Sequence, residues 1–332
     1  MKKPLVSILC VTYNHEKFIR GCLESLVNQE CDFAYEILIH DDASTDNTQT
    51  IIKEFQKLYP ELVKPIFQTE NQWSKQAGGI NLRFNYPRAK GKYIALCEGD
   101  DFWIGKDKLQ KQVKVLEDHP ECSVTNGAYL KIREGKEDVL VQNKLKTEFQ
   151  DEKGGFFELE DVTNNFAIKA STILFRNLPG LVDQLNKYEF SFDMHLFYLL
   201  LKAGKGYYSN DMLAGYNQHQ GGVYSGSTPQ EILLTQYLIL KDIYEKDRDE
   251  FVRKKYLELT FLMINLKISR LMPAKKISQR SVQNHNPSVL EIIKTIRPVL
   301  QTKAEQQIFY KSFIPIQAKV LRQKLIQFLS NN

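Results

Sequence analysis

The chain has 332 residues, 42% of them hydrophobic and 26% charged, and a formal net charge of +5. That length holds one large domain or a domain with an appendage, and these ordinary fractions exclude the disordered and fibrous classes. Five cysteines without a Cys-x-x-Cys spacing imply reduced thiols and no zinc site, no run reaches the ~18 apolar residues of a membrane span, and the start, with Lys2 and Lys3 but no small-residue cleavage site, implies no signal peptide.

The order of elements predicts an α/β protein. Val6 to Thr12 reads as a buried strand, and residues 15–29 as a helix with Phe18, Ile19, Cys22, Leu23 and Leu26 on one face. A second strand, Tyr35 to His40, runs into Asp41-Asp42-Ala43-Ser44-Thr45-Asp46. A helix over 48–58 follows, with Ser44, Thr45 and Asp46 as available N-caps. Residues 63–67 form a third strand, and strands alternating with helices in this way argue a parallel sheet with right-handed crossovers. Residues 69–79 read as a polar loop. The apolar run Tyr93-Ile94-Ala95-Leu96-Cys97 is the next buried strand and ends in Glu98-Gly99-Asp100-Asp101. A helix over 106–119 is closed by Pro120. Strand-like stretches at 124–132 and 139–145, a Gly154-Gly155 turn, a strand over 171–175, a helix over 192–202 and a strand over 212–218 complete the body. From 229 the pattern is helical to the end, which divides the chain into domains at 1–228 and 229–332.

The charge is uneven. Residues 229–332 carry 18 Lys and Arg against 9 Asp and Glu, so the helical extension is basic and the body mildly acidic. Ile314, Ala318, Leu321, Leu325 and Phe328 fall on one helical face, opposite Lys319, Arg322 and Lys324. Such a helix packs on the body, pairs two subunits into a homodimer, or lies on an anionic bilayer.

No phosphate-binding glycine loop is present, neither a P-loop nor a G-x-G-x-x-G between strand and helix. Three polar strand ends remain: Thr12-Tyr13-Asn14, Asp41-Asp42 and Asp100-Asp101. In parallel strands they share one edge, the edge where open α/β sheets bind ligands. Adjacent carboxylates are costly unless a cation neutralises them. A carboxylate accepting from a base N–H, an aromatic stacking on it and a carboxylate-bound divalent cation holding phosphates together describe a nucleoside diphosphate pocket.

These segments resemble the family 2 glycosyltransferases of GT-A fold: the Val6-Ser7-Ile8 strand into Thr12-Tyr13-Asn14, Asp41 to Asp46, Ala89-Lys90-Gly91-Lys92-Tyr93-Ile94, and Glu98 to Asp101. The resemblance spans about residues 4–225. Asp100-Asp101-Phe102-Trp103 followed by Lys108-Leu109-Gln110-Lys111-Gln112 is similar to the bacterial members that build surface polysaccharides. It implies a Rossmann-like, mostly parallel sheet flanked by helices, with the helical extension outside the shared fold. It implies that Val11, Thr12 and Tyr13 line the base pocket with Glu16 near it, that Asp42 binds uracil or its equivalent, and that Asp100 meets ribose or metal. Asp101, and with it His219, would hold Mn²⁺ or Mg²⁺. Asp193 would be the general base of an inverting transfer, with His195 as its rival. Lys75 and Arg83 would reach phosphate. The implied partners are a nucleotide-sugar donor and a glycan or lipid-linked acceptor, with peripheral attachment to the inner membrane face of a cytoplasmic enzyme and no nucleic acid. The Gln-x-x-Arg-Trp signature of processive synthases is missing, so one sugar per binding event is expected. The competing readings are a catalytically inactive binding protein on the same scaffold and a sugar-nucleotide pyrophosphorylase, which would carry a Gly-rich, Arg-containing first loop.

Overall fold

The computed structural model describes residues 3–75, 79–143, 153–162, 168–189, 193–219, 222, 228–268, 287, 289–303 and 305–307. Two compact units divide the chain, Met1–Gly226 and Ser227–Asn332.

The first unit opens with β-α repeats. β1 (Val6–Thr12) is buried along nearly its whole length, because an apolar, β-branched strand needs cover on both faces and a central parallel strand receives it. α1 (Ile19–Val27) buries Ile19, Cys22, Leu23 and Leu26, the stripe of an amphipathic helix. β2 (Tyr35–Asp41), α2 (Thr48–Leu58) with Ile51, Ile52 and Phe55 inward, and β3 (Val63–Phe67) repeat the pattern. The polar segment expected to be loop contains a one-turn helix, α3 (Gln72–Lys75), and helical turns follow at Asn81–Asn85 and Tyr86–Arg88. β4 (Tyr93–Leu96), β5 (Phe102–Trp103), α4 (Lys108–Asp118), β6 (Cys122–Arg133), β7 (Val139–Val141), β8 (Gly154–Phe157), α5 (Leu159–Val162), β9 (Leu174–Arg176), α6 (Leu181–Leu185), α7 (Asp193–Ala203) and β10 (Lys205–Gln218) complete the unit.

One sheet runs in the order β3-β2-β1-β4-β9-β6-β10-β5, with β7 on β6 and β8 on β10. It is parallel from β3 to β4 and again between β6 and β10, while β9 lies antiparallel between β4 and β6. Residues 171–175, expected as one strand, divide into a helical turn at Ala170–Thr172 and the short β9. The Gly154-Gly155 turn is instead the start of β8. A Cβ at Gly154 would lie 2.0 Å from the carbonyl oxygen of Tyr208, so the glycine permits the close backbone approach that pairs β8 with β10.

The register sets the site. Thr12 is level with Asp41, and Leu9 with Leu96, so β1, β2 and β4 end at the same edge. The backbone pairing continues past the strands: Gly99 N donates to Val11 O at 2.8 Å and Asp42 N to Thr12 O at 2.9 Å. Gly99 has no room for a side chain, since a Cβ there would stand 2.6 Å from Thr12 Cβ. Gly99→Ala is expected to cost about 1 to 3 kcal/mol, read by urea unfolding. The added crowding would fall on the loop that carries Asp100 and Asp101.

In the second unit α8 (Pro229–Asp247) starts at a capping box, in which Thr228 Oγ1 accepts from Glu231 N while the Glu231 carboxylate accepts from Thr228 N. The rings of Tyr237 and Tyr244 both meet Tyr256 of α9 (Glu250–Ile268). Arg253 donates to Glu250, to Glu305 and to the carbonyl of Val299, just beyond α10 (Val289–Ile296). Among the described residues no helix is long and apolar enough to cross a membrane. The amphipathic stretch at Ile314 to Phe328 lies outside the described residues.

Candidate active site

The loops after β1 and β2 are laced together. Asn14, at φ 54°, accepts from Thr45 N at 2.8 Å through Oδ1, and its own N–H donates to Ser44 Oγ at 2.9 Å. Asn is among the few residues that take this left-handed backbone. Glu16 accepts from Asn47 N at 3.1 Å and its N–H donates to Asp46, so its carboxylate serves the lacing. Val11 is half-buried, Tyr13 is 43% exposed, and Thr12 is fully buried under Gly99. Of the three residues expected to line a base pocket, Tyr13 and Val11 keep solvent-accessible surface and Thr12 does not.

Asp42 is buried. Its Oδ1 accepts from Gln72 N at 2.8 Å and its Oδ2 from Trp73 N at 3.0 Å, so it holds the first turn of α3, while His40 Nε2 lies 3.3 Å from Oδ1. Phe84 stacks on the His40 ring. Three of the four acceptor positions of a carboxylate are therefore spent. Lys75 pairs with Glu70 at the surface, and the Arg83 guanidinium stands over Phe84.

Beyond β4 the carboxylates converge. Oxygens of Glu98, Asp100 and Asp101 all lie within 4.8 Å of one another. Asp101 is 1% exposed. Its Oδ1 accepts from Asn217 N at 3.3 Å, and its buried Oδ2 makes no hydrogen bond of ordinary geometry, with Lys169 Nζ 3.3 Å away. Burial pushes its carboxyl up to about 7; Lys169 pulls it down, while Glu98 and Asp100 raise it. Asp100 accepts from His219 Nε2 at 3.0 Å, with His15 Nε2 at 3.8 Å. Burial pushes the Asp100 carboxyl up, yet the His219 hydrogen bond and the charges of His15 and Lys169 hold it below the usual range. That hydrogen bond raises the pKa of His219, while burial lowers that of His15. The end of β10 thus closes the loop, with Asn217 Nδ2 donating to Asp100 O at 2.7 Å.

A trio beneath the cluster fixes its far wall. Trp103 Nε1 donates to Ser171 O at 2.9 Å, and Gln112 Nε2 donates to Thr172 O at 2.8 Å. Lys108, fully buried, donates to Gln112 Oε1 at 2.6 Å and stands 4.0 Å from the centre of the Trp103 ring. The Lys-Leu-x-Lys-Gln helix start and the tryptophan therefore serve to hold the Ala170–Thr172 turn.

Asp193 opens α7. It keeps solvent-accessible surface, yet protein crowds it on enough sides that burial pushes its carboxyl up to about 6, with Glu98 raising and Lys169 lowering it. It therefore lies within electrostatic range of the acidic cluster. His195 is 0% exposed and packs on Tyr188, so an incoming hydroxyl does not meet it. Of the two, Asp193 is the one that keeps solvent-accessible surface.

The donor set suits a divalent cation: three oxygen ligands from adjacent carboxylates, one of them a buried oxygen without a hydrogen bond of ordinary geometry, with a second group of His15, Asp100 and His219 beside it. Imidazole nitrogens favour Mn²⁺ over Mg²⁺. Two site residues escaped the sequence reading. His15 follows directly on the Thr12-Tyr13-Asn14 strand end and was legible there; Lys169 has no motif around it.

Residues 7–173 match the sequence profile of Glycosyl transferase family 2. The putative teichuronic acid biosynthesis glycosyltransferase TuaG of Bacillus subtilis is 34% identical over 114 residues, 34% of this chain and 42% of that protein. The chain spans about a third to two-fifths of the length of curated relatives such as this one. Staphylococcus aureus TarS, residues 1–349 in complex with UDP, superposes with a TM-score of 0.56 over 97% of this chain and 91% of that one, at 17% identity. The mannosyltransferase PcManGT of Pyrobaculum calidifontis, in complex with GDP-Man and Mn²⁺, gives 0.53 over 94% and 85%, at 13% identity. These neighbours establish the GT-A architecture, with C-terminal helices following its sheet.

Proposed function

The chain belongs to glycosyl transferase family 2, and from that premise we propose that it is an inverting, divalent-cation-dependent transferase moving one sugar from a UDP-sugar to a hydroxyl of a glycan or lipid-linked acceptor. The observation that carries this reading is the convergence of Glu98, Asp100 and Asp101 at the end of β4, with Asp193 within electrostatic range.

Val11 and Tyr13 face the base, and Asp42 offers its N–H the one acceptor position that three hydrogen bonds leave. Asp100, held by His219 and His15, would meet ribose or cation, and Asp101 would hold the cation, with His219 on Asp100 beside it. When bound, a divalent cation neutralises charge on the departing diphosphate as a Lewis acid. Asp193 takes the proton of the acceptor hydroxyl as that oxygen attacks the anomeric carbon opposite the diphosphate, which inverts the configuration. The UDP bound to TarS and the polymer named for TuaG support the choice of donor and of a surface polysaccharide acceptor.

Incubation with a panel of UDP- and GDP-sugars, Mn²⁺ and lipid-linked acceptors should release nucleoside diphosphate in an acceptor-dependent way. No release from any donor would instead favour an inactive binding protein. Residues 1–228 are assigned the catalysis, and the basic helices of 229–332 the approach to an anionic membrane surface or a second subunit. Flotation with anionic liposomes should be lost on removing 229–332, and equal flotation without them would reject the membrane role.

A further inference from the structure

A cation of the protein's own already stands among these carboxylates. Lys169 Nζ lies 3.0 Å from Glu98 Oε2 and 3.3 Å from Asp101 Oδ2, and 3.9 Å from the centre of the Tyr216 ring. Its backbone is held fast. The Lys169 carbonyl accepts from Thr172 N and Thr172 Oγ1, and the turn that follows is pinned by Trp103 and Gln112. The side chain is held through its ammonium, and an ammonium on a four-carbon stem can swing without moving its backbone once its anions find another cation.

A divalent ion bound to Asp101 Oδ2 would lie within coordination distance of that oxygen, closer than any hydrogen-bonded group. It would then share one buried carboxylate with an ammonium 3.3 Å from the same atom. Like charges this close repel strongly where water is scarce. Either Lys169 swings out as the ion enters, or the ion binds weakly.

We propose that Lys169 is a built-in competitor for the divalent cation: it neutralises Glu98 and Asp101 while the site is empty of donor, and it yields Asp101 when cation and nucleotide diphosphate arrive together. This rests on the reading of Asp101 as a cation ligand. The consequence is coupled loading. Cation alone is held poorly. The diphosphate contributes further oxygens and gives the displaced ammonium a new anion to meet, so the two ligands enter as a pair.

The test is a Mn²⁺ titration of nucleotide-free protein, following the paramagnetic signal of unbound Mn²⁺, repeated with UDP. Lys169→Met, which keeps the stem and removes the charge, should bind Mn²⁺ at least about tenfold more tightly than the unaltered protein, and added UDP should narrow the gap. Lys169→Arg, which keeps the charge, should bind no tighter than the unaltered protein; tighter binding by it would overturn the proposal without recourse to the Met variant. Equal or weaker binding by Lys169→Met, while Asp101→Asn abolishes binding in both backgrounds, would also overturn it and leave the cation site standing. Mn²⁺ binding indifferent to Asp101→Asn would remove the site itself, and the competitor with it.

Discussion

Asp101→Asn is expected to lower transfer by on the order of 10³-fold while leaving the protein as stable as before or more so. The loss follows from what a metal-bound carboxylate contributes: several kcal/mol of charge stabilisation at the leaving diphosphate, at about 1.4 kcal/mol per factor of ten. The stability follows from the position of the group. Burial pushes the Asp101 carboxyl up to about 7, with Glu98 and Asp100 adding to the rise and Lys169 opposing it. A carboxyl raised above its unfolded value binds more protons folded than unfolded between about pH 4 and pH 7. Its contribution to stability therefore falls as pH rises through that window and is least favourable above it. Asparagine has the shape without the charge, so thermal unfolding at pH 8 should occur at an equal or higher temperature in the variant. A fall in activity with no rise or retention of melting temperature would mean that Asp101 is structural.

The second large effect belongs to Asp193. Asp193→Asn should cost about 10² to 10⁴-fold in kcat/KM, the usual weight of a positioned general base, with little change in the affinity for the donor. The pH profile distinguishes this role from a structural one. A base works deprotonated, and burial, reinforced by Glu98 and opposed by Lys169, puts the Asp193 carboxyl at about 6. In the unaltered protein kcat/KM should climb about tenfold per pH unit below 6 and level off above it. In the variant the residual rate should be flat across the same window. A limb near 6 that persists in Asp193→Asn would assign the base to another group.

Much of this site was legible because parallel strands obey a simple geometry. Val6 to Thr12, Tyr35 to Asp41 and Tyr93 to Leu96 are apolar runs that announce themselves as buried, and parallel neighbours must end on one side, so the sequence alone brings Thr12, Asp42 and Asp100 to one edge. What escaped depends on partners distant in sequence. β5 is two residues long and β8 begins at two glycines, so neither has a periodicity to read; both are strands only because β10 pairs with them. The individual duties of polar groups were equally hidden. Asp42 spends three acceptor positions on α3 and His40, and Glu16 spends its carboxylate on Asn47 N. Lys169 enters the cluster because Trp103 and Gln112 hold its turn, a contact no local pattern encodes.

The antiparallel strand β9 has a practical consequence for dissecting the protein. The stretch matching the family profile stops at residue 173, one residue before β9 begins, and so excludes both β9 and β10. A chain trimmed to that stretch would leave β4 without its β9 neighbour and strip β6 of both β9 and β10. Open, apolar strand edges of this kind pair with other chains. The shortened protein would therefore self-associate, and would do so without Asp193, Asn217 or His219: the segment most easily recognised by resemblance is not one that can stand as a folding unit.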